Sequence, residues 1–151
     1  QWLQTKLKSI GLRPISTLVD ITNYFTMTFA RPLHVFDADK LKGCLHVRLA
    51  QEGESLLALD EKTYVLTAED LVIADDRGPV AIAGVMGGME TGCSEDTKNV
   101  ILETAYFDPV GVARTGRRLN ILSDARFRFE RGIDPVFTKQ GDMLATAMIQ
   151  E

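Results

Sequence analysis

Residues 55–85, SLLALDEKTYVLTAEDLVIADDRGPVAIAGV, decide the fold class. Four apolar runs, SLLALD, TYVLT, LVIADD and PVAIAGV, are broken by EK, AED and RG. Each run is too short for a stable helix, and Val, Ile, Thr and Tyr favour a pleated backbone, so the stretch reads as a β-meander. Working outward, Leu45, Val47 and Leu49 alternate with His46 and Arg48 just upstream, which adds a strand with His46 facing solvent. Downstream, VILETAYF (residues 100–107) reads as another strand. Its Ile101, Glu103, Ala105 and Phe107 share one face, while Val100, Leu102, Thr104 and Tyr106 share the other.

The flanks carry helical punctuation. Trp2, Leu3, Leu7 and Ile10 have near-helical spacing, with Gly11 at the stop. Ser16 can cap TLVDITNYFTMTFA, although β-branched residues leave a strand open there. Asp108–Pro109 stand at N-cap and N1 for VGVARTGRRL, with Asn120 as the stop, and Asp134–Pro135 repeat that signature before the last stretch. Helices, then many strands, then helices, with no repeat and no linker, predict a single α+β domain.

With 151 residues, 45% of them apolar and 25% charged, the chain can bury a real core. A formal net charge of −4 argues against a surface that is wholly a nucleic-acid footprint. Cys44 and Cys93 form no C-x-x-C pair and lack metal-ligand spacing, so reduced cysteines in a cytoplasmic protein are expected. No apolar run approaches the ~18 residues that span a bilayer. A start at Gln1 and a close inside an amphipathic stretch suggest a module of a longer polypeptide.

Several residues stand out chemically. An unpaired carboxylate buried in a strand costs several kcal/mol or stays protonated, so Glu103 needs a reason. It can pair with an arginine, act as a general acid or base, or hold a ligand hydroxyl or amine. His34, between a proline turn and the acidic pair of RPLHVFDAD, is either structural or a water-positioning and proton-transfer group. No nucleophile elbow accompanies it. The glycines of GVMGG (residues 84–88) match neither nucleotide-binding fingerprint, and make either a tight turn or a pocket wall. RTGRRLNILSDARFRFER (residues 114–131) holds six arginines against Asp124 and Glu130. Arg114, Arg117 and Arg118 share a helix side that is either solvated or turned to phosphate or an acidic partner.

Taken together and in order, GLRPISTLVDITNY, RPLHVFDADKLKG, LVIADD, AIAGVMGG, EDTKNVILETAYFDP and GRRLNILSDARFRFERGIDP resemble the central editing domain of bacterial phenylalanyl-tRNA synthetase beta subunits. The resemblance runs from Trp2 to Pro135. It implies an editing domain over 1–135, with 136–151 starting the linker helix to the next domain, and a mixed β-sandwich-like core flanked by helices. It implies hydrolysis of misacylated Tyr-tRNA(Phe) by water attack on the aminoacyl ester. The parent enzyme, working with its alpha subunit in a heterotetramer, would attach phenylalanine using ATP and magnesium. No cofactor or metal is expected in this segment. By resemblance His34 lies at the ester as the catalytic group, Glu103 reads the phenol, and Gly87 and Ala125 leave room for the ring. Ser123 keeps a hydroxyl where many members have threonine, and Arg126 departs from a serine. Thr22 and Asn23 belong to a shared motif, counted with the substrate-binding residues, and Arg114, Arg117 and Arg118 are the expected tRNA contacts. The alternative is a non-catalytic structural and tRNA-contacting module of the same subunit.

Overall fold

A computed structural model describes residues 1–151. Helix α1 (Trp2–Ser9) turns through Gly11, at φ +83°, into α2 (Thr17–Phe29). The Ser16 hydroxyl accepts from Val19 N, and Ala30 in the left-handed region ends the helix, so cap chemistry overrides the β-branched content. A strand that the sequence reading did not anticipate, β1 (His34–Asp37), follows Pro32. A short 3₁₀ turn (Ala38–Lys40) leads to β2 (His46–Leu49), then β3 (Ser55–Leu57), β4 (Thr63–Val65), β5 (Leu71–Asp75), β6 (Gly78–Ile82) and the two-residue β7 (Met86–Gly87). Next come β8 (Val100–Glu103), α3 (Pro109–Arg118), α4 (Asp124–Phe129) and α5 (Phe137–Gln150).

The α+β class holds, and every strand pairing is antiparallel. The expected meander is instead two hairpins in different sheets. β3 pairs only with β4, while β5 and β6 are the centre of a four-stranded sheet ordered β2-β5-β6-β7. A third, two-stranded sheet joins β1 to β8, with His34 opposite Glu103. Phe36, Leu66, Val72, Ile82 and Val85 sit in the main core between the sheets, where Phe107, Val112 and Phe129 bring in the post-β8 segment, α3 and α4. A second cluster, Ile21, Phe25 and Ala145, packs α2 on α5.

Other local readings change. The extended strand expected over 100–107 stops at Glu103, and Ile101 (41%) and Tyr106 (51%) face solvent, so it is not apolar and buried on both faces. On β2, Val47 and Leu49 are exposed on one face, and His46 is exposed on the other. Asp108 caps α3 through Gly111 N, and Asn120 stops it at φ +53°. Asp134, however, accepts from Val136 N in a turn, and α5 starts only at Phe137.

Candidate functional site

The register of β1 on β8 brings the two titratable residues of interest together. In an antiparallel pair, opposed residues project to the same side, so His34 and Glu103 meet over one face. There they line a cavity with Pro32 and Leu33, Ile82 of β6, Val85, Met86 and Gly87, and Ala125 and Phe129 of α4. The cavity is small, about 60 Å³, and most of its walls are apolar. It has room for a few waters.

His34 stands in a tight box. Its imidazole meets Phe36 edge-on, with centroids 4.4 Å apart. A β-carbon at Gly87 would lie 2.3 Å from His34 Cε1, so the glycine makes room for the imidazole itself. His34 Nε2 is buried with no hydrogen-bond partner. Burial pushes the imidazole pKa down from 6.5 to about 4, so the ring is neutral at pH 7. A neutral ring with a free, buried nitrogen can bind one water or one polar ligand atom.

Glu103 is the complementary case. No arginine reaches it, which removes the salt-bridge reading: the arginine ion pairs go to Glu54, Asp75, Glu69, Asp70, Glu130 and Asp124. No hydrogen bond within the chain satisfies it, and burial alone pushes its pKa up from 4.5 to about 7. Such a carboxyl favours any ligand that brings a hydrogen-bond donor into the apolar cavity.

Of the residues expected at the site, His34, Gly87, Glu103 and Ala125 converge on this cavity. Ser123 does not present its hydroxyl to it. That oxygen donates to Val85 O (2.6 Å) and accepts from Arg126 N (3.1 Å) as the N-cap of α4, fixing Ala125 against the Val85 wall. Thr22 and Asn23 lie on α2 away from the lining, and Thr22 Oγ1 donates to Val19 O. Arg126 turns inward to α3. Its guanidinium donates to Gly116 O and Ile121 O and pairs with Glu130, so it braces the helices.

The three arginines of α3 differ. Arg118 binds Asp70, a carboxylate 1% exposed that also accepts from Thr67 and Thr115. Burial opposes ionisation of Asp70, but those hydrogen bonds and the Arg118 charge outweigh it and hold its pKa below the ordinary value. Arg114 makes an exposed pair with Glu69 (3.6 Å). Arg117 is exposed, and no salt bridge within the chain engages it.

Sequence reasoning missed Arg31, which is 1% exposed. Its guanidinium donates to Ala105 O (2.9 Å) and Asp134 O, tying the residue three before His34 to the segment just after Glu103. No local pattern distinguishes it from a surface arginine. A second cavity, about 170 Å³ between β3 and β6, holds none of the expected residues, and the Asp75–Arg77 pair at its rim is internally bonded.

These features define an α+β domain in which a neutral imidazole and a carboxyl with no hydrogen bond from the chain face one mostly apolar pocket. The sequence profile of the B3/4 domain matches residues 1–151, and the chain belongs to that family. It is 59% identical over 148 residues to the phenylalanine–tRNA ligase beta subunit of Cereibacter sphaeroides, covering 98% of this chain and 18% of that protein. It is 60% identical over 149 residues to that of Ruegeria pomeroyi, covering 99% and 19%. The chain thus spans about a fifth of these relatives' length. An N-terminal fragment of the Pyrococcus horikoshii phenylalanyl-tRNA synthetase beta subunit aligns over 56% of this chain and 32% of its own, at 16% identity and a TM-score of 0.49, too distant to bear on the site. No helix is long and apolar enough to cross a membrane.

Proposed function

We propose that this chain is the editing domain of a cytoplasmic phenylalanine–tRNA ligase beta subunit and hydrolyses tyrosine from misacylated tRNA(Phe). The observation that carries the reading is Glu103, a carboxyl without a partner in an apolar pocket. A pocket that selects phenylalanine by shape rejects an added hydroxyl only weakly, on the order of a hundredfold in a comparable case. A site that demands the hydroxyl discriminates far more, because phenylalanine leaves its polar group unpaired.

In this reading the tyrosyl phenol donates to Glu103 while Ala125, Met86 and Phe129 contact the ring. A cavity of about 60 Å³ is smaller than the roughly 150 Å³ that admits a benzene ring, so entry requires a wall to yield. Met86, with its flexible side chain, is the natural one. Water attacks the ester carbonyl, the bond to the terminal ribose breaks, and the ribose hydroxyl leaves with a proton from that water. Free tyrosine and tRNA are the products. The neutral His34 holds the water through its free nitrogen, and Glu103 sets specificity and takes no part in the proton transfer. Ligation with ATP and magnesium, and the alpha-subunit interface, belong to the rest of the parent enzyme, and α5 leads toward its next domain. Of the α3 arginines, Arg117 is the one free to meet RNA phosphate.

The test is hydrolysis of tyrosyl- and phenylalanyl-tRNA(Phe) by the chain and its Glu103→Ala variant, which removes the acceptor altogether. Loss of preference for the tyrosyl ester supports the reading. Slower hydrolysis with the preference intact would make Glu103 part of the chemistry instead. No hydrolysis by either protein favours a structural, tRNA-contacting module.

A further inference from the structure

Helix α4 has two working faces. Ala125 and Phe129, one helical turn apart, line the Glu103 cavity. Phe127 lies ~200° round the helix from Ala125 and points the other way. That opposite face opens on a cleft of about 450 Å³ lined by Leu122, Ser123, Asp124, Arg126, Phe127 and Glu130. Phe127 is 54% exposed and Leu122 87%, so two large apolar side chains stand in water uncovered by the rest of the chain.

Two arginines that do not line the cleft pack on its Phe127 ring. Arg131 lies 3.7 Å from the Phe127 ring centroid and is held there by Phe127 O and Glu130 Oε1. Arg128 approaches the same ring at 6.0 Å. Both carboxylates at the cleft are neutralised locally, Glu130 by Arg126 and Arg131, and Asp124 by Arg128. The cleft shares a wall with the pocket, because Ser123 lines the cleft and bonds Val85 O of the cavity lining.

We propose that this face of α4 is a stacking subsite for unpaired nucleotides of RNA, with Phe127 and Arg131 as its platform. The proposal rests on the reading of the Glu103 pocket as the receptor for an RNA-borne aminoacyl group, and adds where the nucleotides beside the ester lie. A cavity of about 60 Å³ that must already yield to admit the phenol ring leaves no space for a nucleoside beside it, whereas the adjoining cleft is several times larger. Stacking on an aromatic ring or an arginine plane is a standard means of holding splayed, single-stranded bases, and it tolerates any base. Arg126, Arg128 and Arg131 against Asp124 and Glu130 leave one net positive charge beside the ring for a flanking phosphate.

The experiment titrates this chain with the unacylated oligoribonucleotide 5′-ACCA-3′ and with a blunt RNA duplex, following side-chain NMR signals of Phe127 and Arg131. Shifts at those two residues with the single strand and not the duplex, weakened about tenfold in Phe127→Ala and kept in Phe127→Trp, support the subsite. Shifts elsewhere, equal affinity of Phe127→Ala, or no binding overturns the proposal and leaves this face to a protein partner. The pocket reading fails separately, when Glu103→Ala leaves the tyrosyl preference unchanged.

Discussion

Replacing Glu103 with glutamine gives the most quantitative check on the pocket. Glutamine copies the shape and the neutrality of the protonated carboxyl. In the folded chain burial raises the Glu103 pKa from 4.5 to about 7. Between those values the folded state holds a proton that the unfolded chain has released. Wild-type stability from this group is therefore full below pH 4.5 and falls as pH rises through 7. At 1.36 kcal/mol per unit the loss amounts to about 3 kcal/mol above pH 8. Urea unfolding of both proteins from pH 4.5 to 8.5 measures it. The two should match at the acid end, with Glu103→Gln more stable by about 3 kcal/mol at the alkaline end. A difference independent of pH would mean that Glu103 is solvated or partnered, and the desolvated-reader argument would fall.

Three further changes probe the rest. His34, held to about 4 by burial, charges in the unfolded chain first as pH drops, so its contribution is present above 6.5 and lost on acidification toward 4. His34→Gln should flatten that part of the acid limb by about 3 kcal/mol, read as the pH-dependent difference from wild type in urea unfolding. Its tyrosyl-tRNA hydrolysis should lose kcat and keep the tyrosine preference, and a lost preference would place His34 at the phenol end. Gly87→Ala drives a methyl against the imidazole and should cost about 1–3 kcal/mol in thermal or urea unfolding, together with turnover. Arg118→Gln should destabilise the chain by about 1–3 kcal/mol by stripping Asp70 of its cation, whereas Arg117→Gln should leave stability unchanged and reduce the salt dependence of tRNA binding.

Features governed by neighbours in sequence were legible. Ser16 and Asp108 cap α2 and α3 as their positions suggested, because a cap needs only the next three residues. Asp134–Pro135 carry the same letters, yet the Asp134 side chain closes a turn on Val136 N, and α5 begins only at Phe137. The alternation in β2 was readable, but not that its Val47 side lacks a cover, since a cover comes from elsewhere in the fold. At the site, the oddity of Glu103 was visible in the strand pattern. Its partner strand was not: HVFD is four residues long, and it pairs with residues more than sixty positions away. His34 and the GVMGG glycines stood out in the sequence, the resemblance gave them roles and added Ala125, and the geometry brings them to one cavity, but the resemblance also drew in Ser123 and Thr22, whose hydroxyls are bonded to backbone. Arg31 and Arg126, buried cations that bond mainly to carbonyls, resemble any surface arginine until the fold surrounds them.

We propose that the cavity between β1, β8 and α4 reads a phenol through Glu103. Amide NMR of the chain titrated with free L-tyrosine, and separately with L-phenylalanine, at neutral pH tests it most directly. Shifts at Gly87, Glu103 and Ala125 with tyrosine alone, abolished in Glu103→Ala, are the predicted result. Equal shifts with both amino acids, or tyrosine shifts that persist without the carboxylate, would contradict it.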